Sequence, residues 1–191
     1  MSTTCLEPQP LVEALIAGLG VARQNLDAKC EAALRAVGSR AVPYLRAAAE
    51  ASTRSRKRIE TLASSIGDIQ DFNPNASNLA RKALLAAATV QTAQESPSLI
   101  PALQLFGSTV TGTLIREALV NRNKPSDCLR ILEVVEQLGG PSEVDGQFEA
   151  AMLATSKNPA VRDKALKLFC LPQAKRRADE AGVSARGPNA R

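Results

Sequence analysis

Apolar residues recur along the chain at helical spacing, and each run closes on a glycine. Leu26, Cys30, Ala33, Leu34 and Val37 precede Gly38; Ile59, Leu62, Ala63 and Ile66 precede Gly67; Cys128, Ile131, Leu132, Val135 and Leu138 precede Gly139. Side chains three and four positions apart share one side of an α-helix, so each run predicts a single face that must be buried against a neighbour. A face repeated in this way points to stacked helical units, whose remaining surface is free for partners.

Applied to the whole chain, the pattern predicts a first helix over 9–17, with Leu11, Val12, Leu15, Ile16 and Leu19 on a broad apolar face. Gly18 and Gly20 end it, and a second helix over 26–37 is closed at Gly38 by a left-handed residue. A second pair covers 41–51 and 54–66. It carries Pro43 in its opening turn, where a missing donor has no helical partner to lose, and Ser52 and Thr53 as capping hydroxyls. Residues 71–78 are polar, and helices over 79–94 and 96–106 follow, with their pairing not fixed by the pattern. Helices over 112–121 and 128–138, then 142–154 and 159–169, complete the series, the last opened by Asn158 as cap and Pro159 as first helical residue. The expected fold is all-α, with about five antiparallel helix pairs in one domain over residues 1–171. Residues 172–191 are expected to form a basic, flexible tail.

Several segments resemble the HEAT-repeat family. The residues concerned are Ala41-Val42-Pro43-Tyr44-Leu45, Arg56 in the next helix, and Ile66-Gly67-Asp68 at its end. In the last pair, Asn158-Pro159-Ala160-Val161-Arg162 resembles the family's Asp-Pro-x-Val-Arg turn, with Asn in place of Asp. The resemblance implies a short right-handed α-solenoid whose second helices line an inner face, with no activity common to its members. The glycine spacings depart from it: Gly38 to Gly67, Gly67 to Gly107 and Gly107 to Gly139 are 29, 40 and 32 residues, mostly shorter than the ~40–47 of HEAT and armadillo units.

Composition narrows the core before it narrows the function. Hydrophobic residues are 45% of the chain and aromatics only 3%, with no Trp, which suits close helix contacts made by Ala, Leu, Val and Ile. The net charge is +5, of which residues 172–191 supply +3 through five cations (Lys175, Arg176, Arg177, Arg186, Arg191) against Asp179 and Glu180. The body is therefore close to neutral, and the pI of 9.3 is only a weak pointer to an acidic partner. Cys5, Cys30, Cys128 and Cys170 lack any metal-knuckle spacing, and three of them sit in apolar stripes where a thiol acts as a small hydrophobe. With no basic and apolar leader pattern at the start and no apolar run approaching ~20 residues, the expectation is a soluble, cytoplasmic protein in a reducing compartment.

Candidate chemistry is sparse. There is no His, the commonest general base and metal ligand. Gly18-Leu19-Gly20 lacks the third glycine and preceding strand of a dinucleotide loop and reads as a helix-ending turn. Asp71, Asn73 and Asn75 mimic the start of a calcium loop. Ala76 stands where its glycine belongs and Lys82 where its bidentate Glu belongs, so the cluster reads as turn-forming. The charged feature that stands out is Arg54, Arg56, Lys57 and Arg58 at the start of a helix, where the macrodipole disfavours cations. Either an acidic ligand offsets that cost, or Arg56 is the structural arginine that the resemblance implies, paired with a neighbouring turn, and the other cations are a solvated face.

The leading expectation is a non-enzymatic interaction module or adaptor that needs no cofactor and binds a peptide or helix of a partner protein on the inner face, with Arg54, Arg56, Lys57 and Arg58 as candidate contacts. The alternative is a nucleic-acid binder using the same basic patch through phosphate contacts. A helical-repeat lyase or glycosylase ranks below both, since the latter relies on inner-face Trp and a catalytic Asp.

Overall fold

The structure, a computed structural model, describes residues 8–21, 23–52, 56–67, 75–92, 94–107, 109–141 and 147–168. Among these residues the regular elements are helices and none is a strand, which agrees with the all-α expectation. They are α1 (Pro8–Ala17), α2 (Leu26–Val37), α3 (Val42–Ala51), α4 (Arg56–Gly67), α5 (Ala76–Val90), α6 (Leu99–Gln104), α7 (Thr109–Val120), α8 (Pro125–Gln137), α9 (Gln147–Leu153) and α10 over 159–168. None is long and apolar enough to cross a membrane. The expected tail over 172–191, like Thr53 of the capping turn and Asp71 and Asn73 of the polar cluster, lies outside the described residues. The chain divides into two compact units, the first ending at Gly107.

In the first unit the helix pairs do not stack in chain order. α3 packs on α4, α2 packs on α5, and α1 touches α2, α3, α5 and α6. The α1/α2 pair therefore sits between α3/α4 on one side and α5/α6 on the other. The cause lies in α5, which buries Ala80, Ala83, Leu84, Ala86, Ala87, Ala88 and Val90, too many positions for one stripe. A helix apolar on more than one side needs more than one neighbour, and its alanines let α2 approach closely. Polar bonds fix this docking at the helix ends. Gln91 Nε2 donates to the Ala17 carbonyl at 2.9 Å, Thr89 Oγ1 lies 2.7 Å from Gln24 Oε1, and Ser98 Oγ donates to Glu13 Oε2 at 2.7 Å.

The second unit packs α7 against α8 and α9. Leu114, Ile115, Ile131, Leu132 and Val135 are fully buried, and Val161, Ala165 and Leu168 of α10 are buried too. Arg116 Nε donates to Glu149 Oε1 at 3.0 Å between α7 and α9. Lys164 and Lys167 of α10 both pair with Glu136 of α8, the second at 2.6 Å, and these hydrogen bonds hold its carboxyl below the usual range. Met152 of α9 is 40% exposed.

Helix ends show how far the local signals reach. Gly18-Leu19-Gly20 is the expected turn, with Gly18 N–H donating to Leu15 C=O at 3.2 Å and Leu19 N–H to Ile16 C=O at 3.0 Å. Gly38 does close α2, but at φ 73°, ψ −150°, a region essentially confined to glycine rather than the left-handed helical one. Asn158 caps α10, its Oδ1 accepting from Val161 N–H at 3.2 Å, as its place before Pro159 predicts. The helix expected over 79–94 runs from Ala76 to Val90. It stops early because Thr92 and Glu95 bond reciprocally, the Thr92 N–H to Glu95 Oε2 at 2.7 Å and the Glu95 N–H to Thr92 Oγ1 at 3.2 Å. This is a capping box that opens a new turn. Gly139 ends α8 in a paired motif: its N–H reaches Glu136 C=O at 3.0 Å, and that of Gly140 reaches Val135 C=O at 2.9 Å. Its φ is 96° and an added Cβ would meet nothing within 4 Å, so the cost of Gly139→Ala is purely conformational. We expect a loss of about 1 kcal/mol, read from the urea midpoint. An unchanged midpoint would rule out this account of the helix end.

Candidate functional site

The basic cluster at the start of α4 is built into a seam between helices. Arg54 lies outside the described residues, while Arg56, Lys57 and Arg58 form the first turn of α4. Arg58 Nη2 donates to Asp27 Oδ2 at 2.5 Å and lies 3.4 Å from Glu31 Oε2, both on α2. Arg35, one turn beyond Glu31, donates to Glu31 Oε1 through Nε at 3.1 Å and Nη2 at 2.9 Å, and to Ser65 Oγ of α4 at 3.0 Å. Arg56 pairs within its own helix, with Glu60 at 2.8 Å. The cost of placing cations at a helix N-terminus is thus offset for Arg56 and Arg58 by carboxylates. Among the described residues the Lys57 ammonium has no ion pair or hydrogen bond, and only the Lys57 carbonyl is engaged, by the Thr61 hydroxyl at 2.8 Å.

Between α2 and α4 these side chains border an open groove of about 450 Å³, lined by Glu31, Arg35, Lys57, Arg58, Thr61 and Leu62. It is a mixed-charge surface, with Asp27 beneath Arg58, rather than a cationic stripe. The positions that spacing alone did not single out are Asp27 and Glu31. Their signal was available: they are four residues apart on α2, off the Leu26, Cys30, Ala33, Leu34 face, and therefore project together toward a neighbouring helix.

Asp27 is the electrostatic centre of the seam. Its partial burial raises the carboxyl pKa, but the Arg58 hydrogen bond, the Gly20 N–H at 2.6 Å and the Arg58 charge outweigh this and leave it below the usual value of 3.8. A carboxyl lowered on folding contributes stability above its unfolded pKa and loses it as pH falls through the folded one. Arg58→Ala is therefore expected to lower stability at pH 7 by less than about 1 kcal/mol, since the pair is partly exposed. The gap to the parent protein should narrow as pH falls below 3.8, measured by urea melts at stepped pH. A gap that stays constant would mean that Arg58 acts through packing alone.

Cys30 and Cys128 are free and buried, and burial pushes their thiols up to about 12 and about 11. Cys5 and Cys170 lie outside the described residues. No protein-family description, no curated protein and no solved structure matches this chain.

Proposed function

We propose that the chain is a non-enzymatic interaction module built from HEAT-like antiparallel helix pairs, and that it takes a peptide or helix of a partner protein in the α2–α4 groove. The reading takes from the HEAT resemblance the helix pair and not the sequential solenoid, because α1/α2 lies between the other pairs of the first unit. The observation that carries it is the Asp27–Arg58–Glu31–Arg35 network beside the open groove. Such a surface offers hydrogen-bond donors and acceptors over an apolar floor at Leu62, the mixture that protein interfaces use. A phosphodiester backbone would have to draw Arg58 away from two carboxylates before gaining its contact, which favours a protein partner over nucleic acid.

The test has two arms on the full chain. A photo-crosslinking residue at Thr61 should give a discrete protein adduct in a nuclease-treated extract of its own host, lost on Lys57→Glu and absent when the probe sits at exposed Lys82. In parallel, labelled duplex and single-stranded oligonucleotides should show no binding from about 50 mM to about 200 mM salt. Tight binding that falls steeply over that range and disappears in Lys57→Glu would overturn the proposal in favour of nucleic acid.

A further inference from the structure

A second concave surface lies in the other unit, and among the described residues its charge is not balanced from within. The end of α7 and the turn between α9 and α10 enclose a cleft of about 460 Å³, with Leu119, Met152 and Leu153 as apolar lining, Arg122 and Lys157 as its cations, and no carboxylate among its lining residues. Neither the Arg122 guanidinium nor the Lys157 ammonium makes an ion pair or hydrogen bond among the described residues. The cations Arg56, Arg58, Arg116, Lys164 and Lys167, by contrast, each hold a carboxylate. Met152 within the cleft is 40% exposed, and Val120, next in sequence to Leu119, is 76% exposed; with Leu166 these are the large hydrophobic residues left in solvent among the described residues.

We infer that this cleft is a docking site for an acidic peptide segment of a partner protein, one that carries an apolar side chain between or beside its carboxylates. Charge complementarity sets the sign, since two cations with no carboxylate partner among the described residues favour a partner rich in Asp or Glu. The lining sets the rest. A free phosphate would engage the cations and leave Leu119, Met152 and Leu153 wet. The segment 172–191 of this chain, with five cations against two anions, has the wrong sign to fill it. A second copy offers as its other exposed large hydrophobic residue Leu166, beside Lys164 and Lys167, whose two charges share the single carboxylate of Glu136 and present no free anion to the cleft. The cleft's volume lies within the range of sites that hold a few side chains of a ligand.

This inference rests on the interaction-module reading but concerns a different surface, so the two fail separately. The chain contains two methionines, Met1 and Met152, so a methyl-labelled methionine NMR spectrum of the full protein reports on the cleft directly. The probes are a synthetic amphipathic peptide alternating Glu and Leu clusters, the same peptide with Lys for Glu, polyglutamate, and inorganic phosphate. The Glu/Leu peptide should shift the Met152 resonance saturably, and Arg122→Glu with Lys157→Glu should weaken it at least about tenfold. Both substitutions are at exposed positions, and an unchanged thermal melt verifies the fold. No saturable shift with the Glu/Leu peptide, an equal shift with the Lys peptide, polyglutamate or phosphate, or undiminished binding by the charge-reversed protein would each overturn the inference. If the Met152 resonance stays silent while Thr61 still crosslinks a partner protein, the module reading stands and this site alone is lost. If Met152 responds and Thr61 captures nothing, the α2–α4 groove is the part that falls.

Discussion

Leu132→Ala is expected to lower stability by about 3 kcal/mol. Leu132 is fully buried in α8, among Cys128, Ile131 and Val135 and opposite the buried Leu114 and Ile115 of α7. The substitution removes the transfer energy of the deleted methyl groups and leaves a void that helices packed at crystal-like density fill only in part. The neighbouring Glu133 is exposed, and Glu133→Ala should change stability by no more than about 0.5 kcal/mol. Urea melts of both variants measure the contrast, with midpoint shifts at an unchanged slope. Equal effects at the two positions would mean that the apolar face of α8 is not where the structure puts it.

Gly18→Ala should cost about 2 kcal/mol, and Cys30→Ala in the same chain should recover most of it. Gly18 does not have a positive φ, so its role is one of space. A Cβ built there overlaps the Cys30 sulfur and comes within 3.4 Å of Leu26 Cγ. Cys30 is fully buried and has nowhere to move, so α1 and α2 must separate or the turn must shift. Removing the sulfur opens the space that the new methyl group needs. A double-mutant cycle measures this directly, because the two losses must then be strongly non-additive. Additive losses would show that Gly18 matters for a reason other than its contact with Cys30.

The parts of the fold legible in the sequence were those written in local chemistry. The Cys128 to Leu138 face and its glycine stop marked α8, and Asn158-Pro159 marked the start of α10, because caps and helix periodicity depend on a few adjacent residues. The capping box at Thr92 and Glu95 was equally local, but Ala83 to Val90 runs apolar up to it and obscured the break. The order of packing was not written locally. That α2 chooses α5 depends on how much of α5 is apolar all round, a quantity that matters only when the competing neighbours are compared in space. The basic cluster was visible as a run of letters, whereas its neutralisation required Asp27 and Glu31, about thirty residues earlier, to lie across the seam. Arg122 and Lys157 carried no signal of their own, being single cations in separate turns that only the fold brings to one cleft.

The position of α1 and α2 has a consequence for synthesis. In a sequential array each newly made pair finds its docking surface complete, and loss of a terminal pair exposes one interface. Here a pair made before α5 and α6 becomes the middle of its unit, so one side of α2 stays bare until α5 emerges. At ribosomal speeds that interval is roughly 3 to 10 s, far longer than helix formation or collapse. During it the side of α2 that packs on α5 is a sticky nascent surface, an opportunity for a chaperone and a hazard in crowded translation. Removing α1 and α2 would take away the keystone of the unit rather than an outer course.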